Sequence, residues 1–339
     1  MTLLEVNDLH VSYETASGPL PAVRGISLSV AAGESVGVAG ESGCGKSTLA
    51  STVLRLQPKS AKVKGEVLLD GLDTQSIPWG QLRALRWAEA SMVFQGALHS
   101  LNPVKKIVDQ LAEPMRLHDP STTKSQAAAR VRELLEQVGL PASRATAYPH
   151  QMSGGQKQRV MVAMALACRP QLIIADEPTT ALDVMVQAQV LDLLSNLVKE
   201  LGLGLMLISH DLSVLSTTCD RVLVMYAGKV VEQGPGDRLF DHPLHPYAGA
   251  LSAAFPRVGD PLARFAPAGL PGDPPDPSLL PSGCAFHLRC ALATDKCSAE
   301  DPALETILAE RQVACHHADP ERDMKLLLAE RRRQTGVAG

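Results

Sequence analysis

Two spacings of apolar residues divide this chain. In "LLEVNDLHVSY" and "AVRGISLSV", both near the start, apolar and polar positions partly alternate, which predicts an antiparallel β layer with one buried face. Other runs are apolar almost throughout: Ser35 to Ala39 in "SVGVA", the residues before Asp176 in "QLIIADEP", and "LGLMLIS" before His210. Such runs suit parallel strands covered on both faces. Helical spacing takes over in "STLASTVLRL", "KSQAAARVRELLEQVGL" and "VQAQVLDLLSNLVKELGLG", the last of which stops at glycine as helices do. "RVLVMYAGKVVEQG" reads as a hairpin turning at Ala-Gly. Strands and helices interleave, which is the pattern of an α/β fold.

The pattern shifts twice. Residues 96 to about 160 are dominated by helical spacing and read as a helical subdomain. From Pro256 to Pro281 the chain carries eight prolines, which exclude a helix or a central strand. The expected organisation is a main domain over 1–255, a Pro-rich linker over 256–283, and a small cysteine-rich unit over 284–339. The closing "ERDMKLLLAERRRQ" reads as a helix with a solvated basic end.

Composition narrows the function classes. Hydrophobic residues make up 45% of the 339 but aromatics only 3%, so the core rests on aliphatic packing. The net charge of −4, from 32 basic and 36 acidic residues, lacks the basic excess of a nucleic-acid binder. No apolar run approaches the ~18 residues of a membrane-spanning helix. "MTLLEVNDLH" has acids where a secretory signal has basic residues. A cytoplasmic protein is expected, in which clustered cysteines suggest metal more than disulfides.

The candidate chemistry begins after Ser35–Ala39. Gly40, four residues including Ser42, Gly43 and Cys44, then Gly45, Lys46 and Ser47 form the phosphate-binding pattern, with Thr48 following at the helix start. Glycines let backbone N–H groups face phosphates, Lys46 adds a point charge, and Ser47 offers a hydroxyl to Mg²⁺. A chance glycine-rich turn is the plain alternative, and the strand before and helix after it argue against that. Asp176 and Glu177 end a buried strand, where α/β sheets place ligands. Asp176 suits the Mg²⁺ shell and Glu177 suits polarising a water. Either acid alone could be a strand-end cap.

A third segment, "HQMSGGQKQRVMVAMALA", sets Ser153, Gly154, Gly155 and Gln156 before an apolar helix. It resembles the signature motif of the ATP-binding cassette (ABC) ATPases, with Met152 where leucine is commoner. The order fits that family: phosphate loop, "MVFQ" with Gln95, signature, "IIADEP", "TTALD" with Asp183, and "LMLISHD" with His210. The resemblance implies a P-loop ABC ATPase fold, a RecA-like core with an antiparallel β layer and a helical subdomain. It implies that Tyr13 stacks on adenine, although a strand tyrosine is more commonly packing. It further implies that two such domains pair head to tail, with ATP between the phosphate loop of one and Ser153–Gln156 of the other. Glu177 would act on water, His210 on the γ-phosphate, and Gln95 on metal or water.

"SLNP", "AEPMRLH", "HPLHPYAGAL" and "CAFHLRC" narrow the resemblance to ATPase subunits of oligopeptide, dipeptide and nickel importers, and to the dipeptide-type first subunit in particular. The implied partners are a second, related ATPase subunit, two membrane permease subunits and, indirectly, an extracytoplasmic solute-binding protein, with no nucleic acid. The implied location is peripheral, on the cytoplasmic face of the membrane. "FQGALHSLNP" departs from the family with Gly96 and Ala97 where an acid and proline are usual. A nickel or other small-solute importer is the alternative cargo. An exporter ATPase leaves "HPY" and the cysteines unexplained, and soluble DNA-repair or translation ATPases usually carry two cassettes, a long coiled coil or basic surfaces.

Cys284, Cys290, Cys297 and Cys315 crowd the C-terminal stretch. Their neighbours are Gly, Pro and charged residues, which reads as a poor core. Structural zinc favours paired C-x2-4-C knuckles, absent here. An iron–sulfur cluster takes four thiolates from irregular loops, and the importer resemblance implies a 4Fe–4S module. Inert core thiols and zinc remain the competing readings. Nothing in the chain identifies the transported solute.

Overall fold

A computed structural model describes residues 1–335 except 17, 97–99, 181, 256–269 and 271. Ala97 and most of the predicted Pro-rich linker therefore lie outside the described residues. The strands, in chain order, are β1 (Thr2–Thr15), β2 (Gly18–Ala31), β3 (Ser35–Ala39), β4 (Ala61–Leu69), β5 (Leu72–Asp73), β6 (Ala90–Val93), β7 (Leu172–Asp176), β8 (Gly204–Ser209), β9 (Arg221–Tyr226), β10 (Lys229–Pro235), β11 (Glu305–Leu308) and β12 (Arg311–Val313). They build two sheets. One is antiparallel, in the order β2-β1-β4-β5. The other runs β11-β12-β10-β9-β3-β8-β7-β6.

Alternation in β1 and β2 buries Leu4, Val6, Leu9, Ile26 and Val30 on one face of the antiparallel sheet. That face packs against Val36 and Val38 of β3, Met206 and Ile208 of β8, and Leu49 and Val53 of the helix Lys46–Val53. The opposite face of the large sheet, through Ile173, Ala175, Leu205 and Leu207, packs against the helices Gly154–Ala165, Val184–Leu201 and Pro246–Ala254. All five residues of β3 and all five of β7 are buried, as strands covered on both sides require.

The central five strands are parallel. β3 lies between β8 and β9, and β7 between β8 and β6. Their C-terminal ends consequently share one edge: Ala39 pairs with Ser209, Asp176 with Ile208, and Val93 with Ala175. The expected hairpin is β9–β10, and Ala227 and Gly228 take the left-handed φ of +46° and +82° its tight turn needs.

The helical region contains Ile107–His118 and Lys124–Gln137, and the signature helix Gly154–Ala165 joins them in one core. The last shares of chain do something the sequence pattern did not disclose. β12 pairs with β10 at Glu232–Val313 and Gln233–Gln312, and β11 adds to β12, so the C-terminal stretch extends the main sheet. A buried ion pair fixes the join: Arg311 donates to Glu232, whose carboxylate also accepts the N–H groups of Leu244 at 3.0 Å and His245 at 2.8 Å.

Candidate nucleotide site

The phosphate loop needs glycine for lack of room as well as for its turns. A Cβ on Gly40 (φ +151°) would lie 2.4 Å from the Met225 carbonyl oxygen, and one on Gly45 (φ +104°) 2.2 Å from that of Ala22. The loop is thus wedged between β2 and β9, with Gly228 N–H donating to the Cys44 carbonyl at 3.0 Å. Lys46 is buried, and its Nζ donates to the carbonyls of Gly40 at 2.7 Å and Glu41 at 2.8 Å. Cys44 is buried beside it, and burial pushes its thiol up. The hydroxyl of Tyr13, at the end of β1, donates to Thr48 Oγ1 at 3.1 Å, which places the tyrosine at the loop's flank.

The acids stand at the end of β7. Asp176 is buried beside Ser47, whose hydroxyl favours its charged form, and its Oδ1 has no protein partner. Burial is the main cause that holds its carboxyl above the usual range. An orphaned, buried carboxylate oxygen beside a hydroxyl is a donor set that fits a hard cation such as Mg²⁺. Glu177 has a left-handed φ of +44°, a strained setting for this residue. Gln95 Nε2, just past β6, and Thr180 Oγ1 each donate to Glu177 Oε2 at 3.0 Å. His210, just past β8, brings Nδ1 to 3.7 Å from Glu177 Oε1. The contact with His210 is the leading cause that lowers the Glu177 carboxyl, and the same contact raises the imidazole. Glu177 is therefore a carboxylate at neutral pH.

Ser153 caps the helix Gly154–Ala165: its Oγ accepts from Gln156 N–H at 3.3 Å, and Gln156 Oε1 accepts from Ser153 N–H at 3.2 Å. Gly154 and Gly155 occupy the first helical positions, where N–H groups lack helical partners. Gly155 lacks room for a side chain, since a Cβ would come 2.5 Å from Val186 Cγ1. Among the described residues no hydrogen bond links this segment to the phosphate loop of the same chain. Asp183 caps the next helix, accepting from Val186 N–H at 3.0 Å.

Sequence reasoning missed Thr180, Glu41, Tyr247 and Arg289. Tyr247 is the tyrosine of "HPY". It is fully buried, and its hydroxyl accepts the Glu41 N–H at 2.8 Å. Its motif was visible, but nothing local in the chain says that it backs the phosphate loop. Arg289 pairs with Glu41 across 248 residues.

The four clustered cysteines converge. Cys290, Cys284 and Cys297 lie close enough to Cys315 that each raises its thiol further, after burial. Burial pushes Cys290 up to about 11 and Cys315 to about 12. Backbone N–H groups of Leu292 and His317 donate to Cys290 Sγ and Cys315 Sγ, both at 3.4 Å. The expectation of poor surroundings does not hold: Cys297 is buried, and Cys284 and Cys290 pack on the main core near Phe286. Among the described residues no three His, Cys, Asp or Glu side chains gather as around a single metal ion.

The chain matches the family model "ABC transporter" over residues 23–180 and "Oligopeptide/dipeptide transporter, C-terminal region" over 231–297. It is 45% identical to the dipeptide transport ATP-binding protein DppD of Escherichia coli (strain K12), covering 94% of this chain and 97% of that one. It is 42% identical to the oligopeptide transport ATP-binding protein OppD of Salmonella typhimurium, over 92% and 93% of the two chains. The solved dimer of MJ0796, a bacterial ABC transporter cassette, superposes with a TM-score of 0.62 at 28% identity, over 68% of this chain and 98% of that one. A dimer of the same cassette bound to ADP and Pi superposes equally well. With the phosphate loop, the paired acids and the signature on one such scaffold, the chain belongs to the family of ABC transporter ATP-binding proteins that includes DppD and OppD.

Proposed function

We propose that this chain binds and hydrolyses ATP to drive an importer of dipeptides or oligopeptides. The observation that carries the reading is the shared edge of β3, β6, β7 and β8, where Lys46, Ser47, Gln95, Asp176, Glu177 and His210 meet. Phosphoryl transfer to water asks for positioning and charge stabilisation, which this set supplies. Loop N–H groups and Lys46 hold the phosphates, and Tyr13 flanks the base. Ser47 and Asp176, with Gln95 in reach, would hold Mg²⁺, which neutralises charge on the phosphate oxygens when bound. Glu177 takes a proton from the attacking water, and His210 and Gln95 fix its carboxylate.

The N–H groups at Gly154 and Gly155 suit the terminal phosphate of an ATP held by a second, related ATPase subunit, and Asp183 caps the helix whose Val186 abuts Gly155. ATP then favours the closed pair, and hydrolysis releases it, a population shift that two permease subunits convert into transport. A solute-binding protein delivers the cargo from outside, and the chain works at the cytoplasmic face of the membrane. No helix among the described residues is long and apolar enough to cross one. Co-expression with two peptide-importer permease subunits and a related ATPase subunit tests this: the chain is expected in the membrane fraction, with ATP turnover raised by peptide-loaded binding protein. A fully soluble chain under those conditions overturns the reading.

Cys284, Cys290, Cys297 and Cys315 fit a 4Fe–4S cluster as our reading of the C-terminal stretch. What supports the reading is that four thiols share one neighbourhood, with N–H donors on two of the sulfurs. The cluster would brace this stretch. Anaerobically purified protein is expected to be brown, with iron and acid-labile sulfide in equal amounts. A folded, colourless, iron-free protein removes the assignment.

A further inference from the structure

Glu41 carries a negative charge into a loop otherwise built for a polyanion. It is held from outside the ATPase motifs. Arg289 grips it with both arms of the guanidinium, Nη1 on Oε2 at 2.6 Å and Nη2 on Oε1 at 3.0 Å. The pair is shielded, the Arg289 side chain being 7% exposed and that of Glu41 20%. Arg289 is itself immobilised. It donates to the Tyr226 hydroxyl at 3.3 Å and the Gly272 carbonyl at 3.0 Å, and its guanidinium lies near the Tyr226 and Phe286 rings. The Glu41 N–H is tied separately to Tyr247.

We propose that Arg289 is a positioning residue for ATP: it cancels the charge of Glu41 and fixes the second residue of the phosphate loop, so that the cysteine-bearing stretch sets the loop's affinity for nucleotide. Two-armed arginine–carboxylate pairs combine charge with fixed geometry. Without Arg289, a shielded and unbalanced carboxylate remains on a residue of the loop that receives the phosphates, and like charges in a shielded setting repel strongly. Because Arg289 precedes Cys290, whatever orders or disorders the thiol stretch moves this guanidinium as well. The inference rests on reading Gly40–Ser47 as the phosphate-binding loop.

The test is the dissociation constant of MgATP on the full-length chain, read with a fluorescent nucleotide and competing ATP. Arg289→Gln should weaken binding by about fivefold, and Glu41→Gln should tighten it by a similar factor. The double variant should return close to the wild-type value. Opposite signs with mutual cancellation are what charge requires and packing does not. Weak binding in Arg289→Gln, no change in Glu41→Gln and weak binding in the double variant would overturn the proposal. Should Arg289→Gln fail to fold, Glu41→Gln decides alone, since it keeps Arg289 in place. A wild-type chain that binds no MgATP refutes the phosphate-loop reading instead.

Discussion

Glu177→Gln is expected to lower ATP turnover by about 10²- to 10⁴-fold while the dissociation constant for MgATP stays within about threefold. The asymmetry follows from where the residue sits. Its carboxylate belongs to the edge of the site, held by Gln95, Thr180 and His210, while the loop that grips phosphate is wedged between β2 and β9 and tied to Gly228 and Tyr247. Glutamine keeps the length and still accepts from Gln95 and Thr180, so the architecture survives. It cannot take a proton, and the ionised state that the His210 contact maintains is lost. Steady-state turnover and equilibrium binding on the same preparation check the split. Turnover within tenfold of wild type would remove Glu177 from the proton transfer, and loss of nucleotide binding would make its role architectural.

The retained hydrogen bonds also explain why Glu177 carries its strain. A φ of +44° on a non-glycine residue persists only when its surroundings over-determine it. Here the side chain has three partners, and the backbone N–H donates to the Ile208 carbonyl at 3.0 Å. The strain turns the carboxylate out of β7 toward β6 and β8.

Much of this was legible in the chain because its signals are local. The all-apolar β3 and β7 and the glycines at 40, 43 and 45 announce themselves within a few residues. So does the Ser153–Gln156 capping box. The alternating β1 and β2 were equally plain, although their bulges at Asn7 to His10 were not. What escaped were contacts between distant segments. Nothing near Arg289 signals Glu41, and nothing near Tyr247 signals the phosphate loop. From the sequence the C-terminal stretch reads as a separate unit because prolines precede it. The short β12 carries only three residues, too few for a periodic pattern, and it joins β10 by a brief ladder and one buried pair. Likewise the cysteines' polar neighbours in sequence are not their neighbours in space.

That buried pair supports the prediction with the largest effect on stability. Arg311→Met should destabilise the native chain by about 3–5 kcal/mol, because removing one partner leaves a buried charge uncompensated. Glu232 is fully buried on β10, and Arg311 bridges it to the His242 carbonyl, which Nη1 reaches at 2.7 Å. Burial already raises the Glu232 carboxyl above its ordinary 4.5, opposed chiefly by Arg311 and then by the N–H groups of His245 and Leu244. Removing the arginine takes away the largest opposing influence and raises it further. A carboxyl raised in the folded state favours its neutral form there. Its contribution is fully present below 4.5 and is lost as pH rises through the raised value. The deficit of Arg311→Met should therefore be larger at pH 8 than at pH 5. Adding Glu232→Gln should recover part of it and flatten the pH dependence, since the amide oxygen still accepts from Leu244 and His245. Urea unfolding across that range measures the energies, and hydrogen exchange of the Ala314 N–H, which donates to the Val231 carbonyl at 2.8 Å, reports whether β12 parts from β10 before the rest unfolds. A deficit that is small and independent of pH would mean that the strand pairing and the thiol stretch hold this end without the ion pair.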